Sequence, residues 1–197
     1  MKTKRQSRRT EPPDISTALE VARWFWPEFK RVGDGTFLGP TLFPGSKQLT
    51  PEDLEKGMRG GREMLDEEAF YNHTHVFDLF AHRAYSLRGP PFDRGHPDFA
   101  AACRLGVILC EVWAAKLRRD FPNEDYAVIC TRDDNPIVRF HKVREDRALW
   151  LDLDRCTLGT VLLIHSRDGR RVGNIMASPD PKGSRRRPNR RPPRVGA

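Results

Sequence analysis

Apolar residues recur at helical spacing at Ile15, Ala18, Leu19, Ala22 and Phe25, which predicts an amphipathic helix. Asp14 stands before it as an N-cap. Pro27 closes it, because proline cannot continue the hydrogen-bond ladder. Phe29 to Val32 and Thr36 to Leu38 flank Gly33-Asp34-Gly35, the pattern of a short hairpin. Residues 39–49, rich in glycine and proline, read as loop. Thr50-Pro51-Glu52-Asp53 is a helix start: Thr50 caps, Pro51 suits the first helical position, and the acids favour the positive end of the dipole. Gly57, Gly60 and Gly61 keep that helix short or interrupted. The helical pattern resumes from Arg62 through Met64, Leu65 and Ala69 and reaches Phe70 to Phe80. This last segment reads as one helix, or as two with a break at 72–74 and Thr74 as the second cap.

The strongest element is a helix from Asp98 to about Asp120. Phe99, Cys103, Gly106, Cys110, Trp113 and Leu117 trace one apolar stripe. Leu105, Ile108, Leu109 and Val112 widen it, so its middle is expected to be buried on most sides. The pattern then shortens to that of strands. Tyr126 to Thr131 and Ile137 to Val143 flank the turn Asp133-Asp134-Asn135-Pro136 and predict a second hairpin. Ala148 to Leu153 reads as a third strand, and Thr160 to His165 as an apolar one. Asp168-Gly169 marks a turn and Val172 to Met176 a return.

Helices first and antiparallel strands second predict an α+β fold, with N-terminal helices packed on one face of a small C-terminal sheet. The expected organisation is a basic, disordered tail over 1–13, a single α+β domain over 14–176, and a disordered Arg/Pro-rich tail over 177–197. The charge supports this division. Of the net +8, residues 1–14 carry +3 and residues 182–197 carry +7, which leaves residues 15–181 at −2. The high pI belongs to the ends, and the body gives no compositional reason to bind nucleic acid. No apolar stretch follows the basic start and no run of 18 apolar residues occurs, so neither a secretory signal nor a membrane span is expected. Cys103, Cys110, Cys130 and Cys156 lack C-x-x-C spacing. They read as reduced thiols in a cytoplasmic protein, with Cys103 and Cys110 on one buried helix face.

Candidate chemistry concentrates between Asn72 and His82. His73, His75, Asp78 and His82 fall within ten residues, among Phe70, Tyr71, Phe77 and Phe80. An H-x-H pair suits metal ligation from extended chain, where alternate residues share a face. On a helix, His75 and His82 would lie about 10 Å apart along the axis, a long span for one zinc. A third ligand would have to come from His96, Asp98, Glu111 or His141. The competing reading is structural: capping, stacking on aromatics and donation to carbonyls. The acidic pairs Asp133-Asp134 and Asp152/Asp154 read as turn and solvated-face residues. No nucleotide loop or nucleophile elbow occurs, and no cofactor is expected.

Three functions remain open. The first is a non-catalytic protein-binding module of the accessory or toxin-neutralising type, with an unidentified protein partner. The second is a metal-dependent hydrolase or nuclease using the His73–His82 segment. The third is a nucleic-acid-associated protein. In that reading Arg185, Arg186, Arg187, Arg190, Arg191 and Arg194 hold polyanions weakly and without sequence preference, through counterion release.

Overall fold

The computed structural model describes residues 15–39, 50–80, 97–133 and 135–175. Both tails, the six arginines from Arg185 to Arg194, His82 and His96 lie outside the described residues. The architecture is α+β: four helices, a five-stranded antiparallel sheet and a separate hairpin. Helix α1 (Ile15–Phe25) leads into the hairpin of β1 (Phe29–Val32) and β2 (Gly35–Leu38). Gly33 takes φ 60° in the turn, a conformation that suits glycine. Helix α2 (Pro51–Arg59) begins with a full capping box, in which Thr50 and Asp53 exchange side chain-to-backbone hydrogen bonds. Gly60 and Gly61 end α2, and α3 (Met64–Tyr71) follows.

The segment after α3 corrects the helical expectation. It is neither one helix nor two. His73–His75 forms a short strand, β3, which pairs antiparallel with β5 (Ile137–Lys142), and Val76–Phe80 is a 3-10 turn. Pairing with a distant strand overrides the local periodicity here. The sheet is therefore not built from the C-terminal half alone. Its order is β3-β5-β4-β6-β7, with β4 at Tyr126–Thr131, β6 at Thr160–His165 and β7 at Arg171–Ile175.

Helix α4 (Pro97–Asp120) lies along one face of this sheet. All six stripe positions are buried. Phe99, Cys103, Cys110, Trp113 and Leu117 join Val128, Cys130, Val138, Phe140, Leu162 and Ile164 in one core. Full burial of side chains this size contributes roughly 1.5–3 kcal/mol each. Phe29 and Phe140 meet Trp113 edge-to-face at 6.4 and 6.2 Å, and the Trp113 indole N–H donates to the Trp24 carbonyl at 2.9 Å. Gly106 lets α4 approach the sheet, since a Cβ there would stand 2.8 Å from Cys130 Sγ. The breadth of the stripe is narrower than expected: Ile108 is 45% exposed, because α4 buries one side and leaves the other to solvent. None of the four cysteines forms a disulfide. Cys103 and Cys110 are buried, and burial pushes the Cys110 thiol well up. Among the described residues, no helix is long and apolar enough to cross a membrane.

The opposite sheet face holds a second apolar cluster of Ala127, Ile129, Val161 and Leu163. Its cover is the segment read from sequence as a third strand. Leu149, Leu151, Leu153 and Cys156 pack down onto the sheet from irregular chain with one 3-10 turn at Leu153–Arg155. Alternating aliphatic residues place Leu149, Leu151 and Leu153 on one side of an extended segment, and that side docks across the sheet instead of joining its edge.

Candidate functional site

Helix α3 is fixed between the hairpin and the sheet by two buried polar side chains. The Glu68 carboxylate accepts from Thr36 N at 2.9 Å, Lys142 N at 3.1 Å and Arg144 Nη1 at 2.8 Å. Burial pushes the Glu68 carboxyl up, and these donors pull against that shift. Asn72 accepts from Leu38 N at 2.9 Å and donates to the carbonyls of Thr36 and Phe140 at 2.7 and 3.3 Å. Arg144 and Lys142 also pair with Asp34 at 3.2 and 2.8 Å. One carboxylate and one amide from α3 and its C-cap thus satisfy backbone groups of β2 and β5, two strands that sequence alone does not bring together.

This anchoring places the end of α3 beside the edge of the sheet, and a cleft of about 340 Å³ lies between them. The register pairs His73 with Arg139 and His75 with Ile137. Alternation along a strand turns all four toward the face away from α4. Asp66, Ala69 and Phe70 of α3 and the preceding Arg62 form the second wall. Trp150, from the segment that covers the sheet, forms the third.

Each wall is held from behind. Trp150 N–H donates to His141 Nε2 at 3.4 Å, while His141 Nδ1–H donates to Lys142 O at 3.1 Å. Those two bonds define the neutral tautomer. Burial pushes the His141 pKa down to about 4, helped by Arg144 and His165 and opposed by the bond to the Lys142 carbonyl. Arg147 ties the same covering segment to Glu63 at 2.8 and 3.0 Å. At the near end His73 Nδ1 donates to the Phe70 carbonyl, which uses an open carbonyl at the helix terminus.

The Arg139 guanidinium lies over the Trp150 ring at 4.3 Å. Its Nε makes no hydrogen bond, and Arg139 has no ion-pair partner among the described residues. Burial lowers its pKa, with Asp133 acting in the other direction, and a guanidinium stays charged regardless. Arg62 crosses the Phe70 ring at 5.9 Å and pairs with the buried Glu67 at 3.4 Å. Burial also holds the His75 imidazole below its usual range. Asp78 and Asp133 oppose that shift, and His73 and Arg139 add to it.

The structure brings His73 and His75 together, with ring centroids 5.3 Å apart. Asp78 sits in the 3-10 turn and accepts from Asn135 Nδ2 at 3.5 Å. The third-ligand candidates are elsewhere. Both ring nitrogens of His141 are occupied. Glu111 lies on α4 and pairs with Arg171 at 2.7 Å, and Asp98 stands in the first turn of α4. Among the described residues, no three His, Cys, Asp or Glu side chains group as a metal site requires. The acidic residues read as turn and solvated-face positions have local roles: Asp133 accepts from Thr131 Oγ1 at 2.7 Å, and Asp152 caps Asp154 N at 3.1 Å.

No known protein family, curated protein or solved structure matches this chain. The cleft is therefore read from its own residues. Sequence reasoning found His73 and His75 but missed Arg62, Arg139 and Trp150. The alternation of β5 placed Arg139 opposite Val138 and Phe140, which was the one available signal for it. Its meeting with Trp150 depends on how the covering segment folds back.

Proposed function

We propose that this chain is a non-catalytic protein-binding module and that the cleft between α3, β3 and Trp150 receives its partner. The observation that carries this reading is the rim. Phe70 is 57% exposed and Trp150 36% exposed, and they stand beside the two arginines of the same cleft. Exposed aromatic side chains next to arginine are the composition of interface hot spots. Two further features support it. The α3 wall is anchored by buried hydrogen bonds of Glu68 and Asn72 and the Trp150 segment by bonds to His141 and Glu63, which lowers the ordering cost left for the moment of binding. The cleft volume of about 340 Å³ suits one or two side chains of a partner.

The test is stoichiometric co-purification with Phe70→Ala and Trp150→Ala, alongside Ile108→Ala on the opposite side of the sheet. Truncating a hot-spot aromatic costs about 2 kcal/mol or more, roughly 30-fold in affinity. The partner should be lost with the first two variants and kept with the third. A partner retained equally by all three would place the binding surface elsewhere.

A further inference from the structure

Resting on the reading of the cleft as the docking site, we infer that its occupant presents an aspartate or glutamate side chain, received on the in-plane N–H edge of Arg139. The contrast with Arg144 carries the inference. Arg144 is balanced within the fold by Glu68 at 2.8 Å and Asp34 at 3.2 Å. Arg139 is partly buried on the neighbouring sheet face, yet no acid pairs with it among the described residues, and its Nε has no acceptor. Taking a cation partly out of water without a partner is unfavourable, and a carboxylate arriving from outside removes that penalty.

The geometry selects where the carboxylate goes. One guanidinium face is used by Trp150 at 4.3 Å and Nε is enclosed by the fold, so the carboxylate is received at the terminal Nη edge, where two N–H groups form a fork that matches it. Arg62 also lines the cleft but is balanced by Glu67 at 3.4 Å, which leaves Arg139 as the cation there without an acid partner among the described residues, and Asp66 as the one acid of the lining. Ala69, Ile137 and Phe70 supply an apolar floor and rim beside the cations, which suits an acidic residue flanked by an aliphatic or aromatic one. Asp66 would repel a continuous polyanion, so an acidic segment of a protein fits this cleft better than a nucleic-acid backbone. The Arg-rich end of this chain, with seven bases and no acid over residues 182–197, has the wrong sign to occupy it.

The test is selection of displayed random peptides on the purified full chain, followed by affinity measurement on the selected peptides. The expected consensus holds one Asp or Glu next to a large apolar residue. Replacing that acid with its amide should weaken binding to the wild-type chain about tenfold or more, the scale of one charge-assisted hydrogen-bonded contact. The same peptide change should have little effect on binding to Arg139→Met. The peptide-side substitution uses the unaltered protein, so the outcome holds even where Arg139→Met fails to fold. A consensus that depends on Phe70 and Trp150 but lacks an acid would overturn the carboxylate inference and leave the docking site standing. Peptides indifferent to Phe70→Ala and Trp150→Ala would overturn both.

Discussion

Acidification from pH 7 to pH 5 should destabilise this protein through His141, a residue outside every recognisable motif. His141 is 1% exposed and its pKa is pushed down to about 4 by burial. In the unfolded chain the imidazole takes its proton near pH 6.5. Between those values the unfolded state binds more protons than the fold, so stability falls as the pH falls. The contribution is complete above about pH 6.5, shrinks through the window, and is fully lost below about pH 4. The whole difference corresponds to about 3 kcal/mol, of which about 2 kcal/mol is lost by pH 5. For a chain of this size that is a fall in Tm of about 4–8 °C. The buried carboxyl of Glu68 is pushed up, so it favours the fold on acidification and works in the opposite direction. The informative quantity is therefore a difference between two proteins. Thermal unfolding of the wild type and His141→Gln should be followed from pH 7 to pH 5. Glutamine can accept the Trp150 N–H and does not titrate, so its Tm should fall by several degrees less. Equal losses in the two proteins, or an NMR titration of His141 near pH 6.5, would refute the reasoning.

Two packing predictions follow from the same geometry. Gly106→Ala should destabilise by about 1–2 kcal/mol, because overpacking outweighs the gain in helix propensity. The added methyl would stand 2.8 Å from Cys130 Sγ, so a Cys130→Ala background should remove most of the Gly106→Ala loss in chemical denaturation. Glu68→Gln should cost about 3 kcal/mol by the same assay. It leaves Arg144 and two backbone donors facing an amide. Glu63→Gln, which breaks the exposed pair with Arg147, should cost less than about 1 kcal/mol. Equal costs for the two would contradict the role assigned to Glu68.

The elements legible in the sequence are those set by local rules. The stripe of α4 follows from its 3.6-residue period, the Thr50 cap from its turn chemistry, and the two hairpins from turn residues between apolar runs. The elements that were misread depend on distant partners. β3 is three residues long, and His73-Thr74-His75 becomes a strand only because Arg139, Val138 and Ile137 lie opposite. Leu149, Leu151 and Leu153 carry strand-like alternation but fill the face left open by α4. Periodicity located the centre of the α4 stripe but could not give its width, which is set by what packs against it, and so Ile108 was misplaced. The cleft was half legible. His73 and His75 share a strand and were found together, whereas Arg62, Arg139 and Trp150 meet them only after three separate segments converge.

The most direct test of the docking site is site-specific photo-crosslinking in the native cells, with a photo-reactive phenylalanine analogue in place of Phe70 and a control analogue in place of Ile108. The predicted result is one abundant adduct to a single protein from position 70 and none from position 108. Adducts to nucleic acid alone from position 70, or no more adduct than at position 108, would contradict the assignment of this cleft to a protein partner.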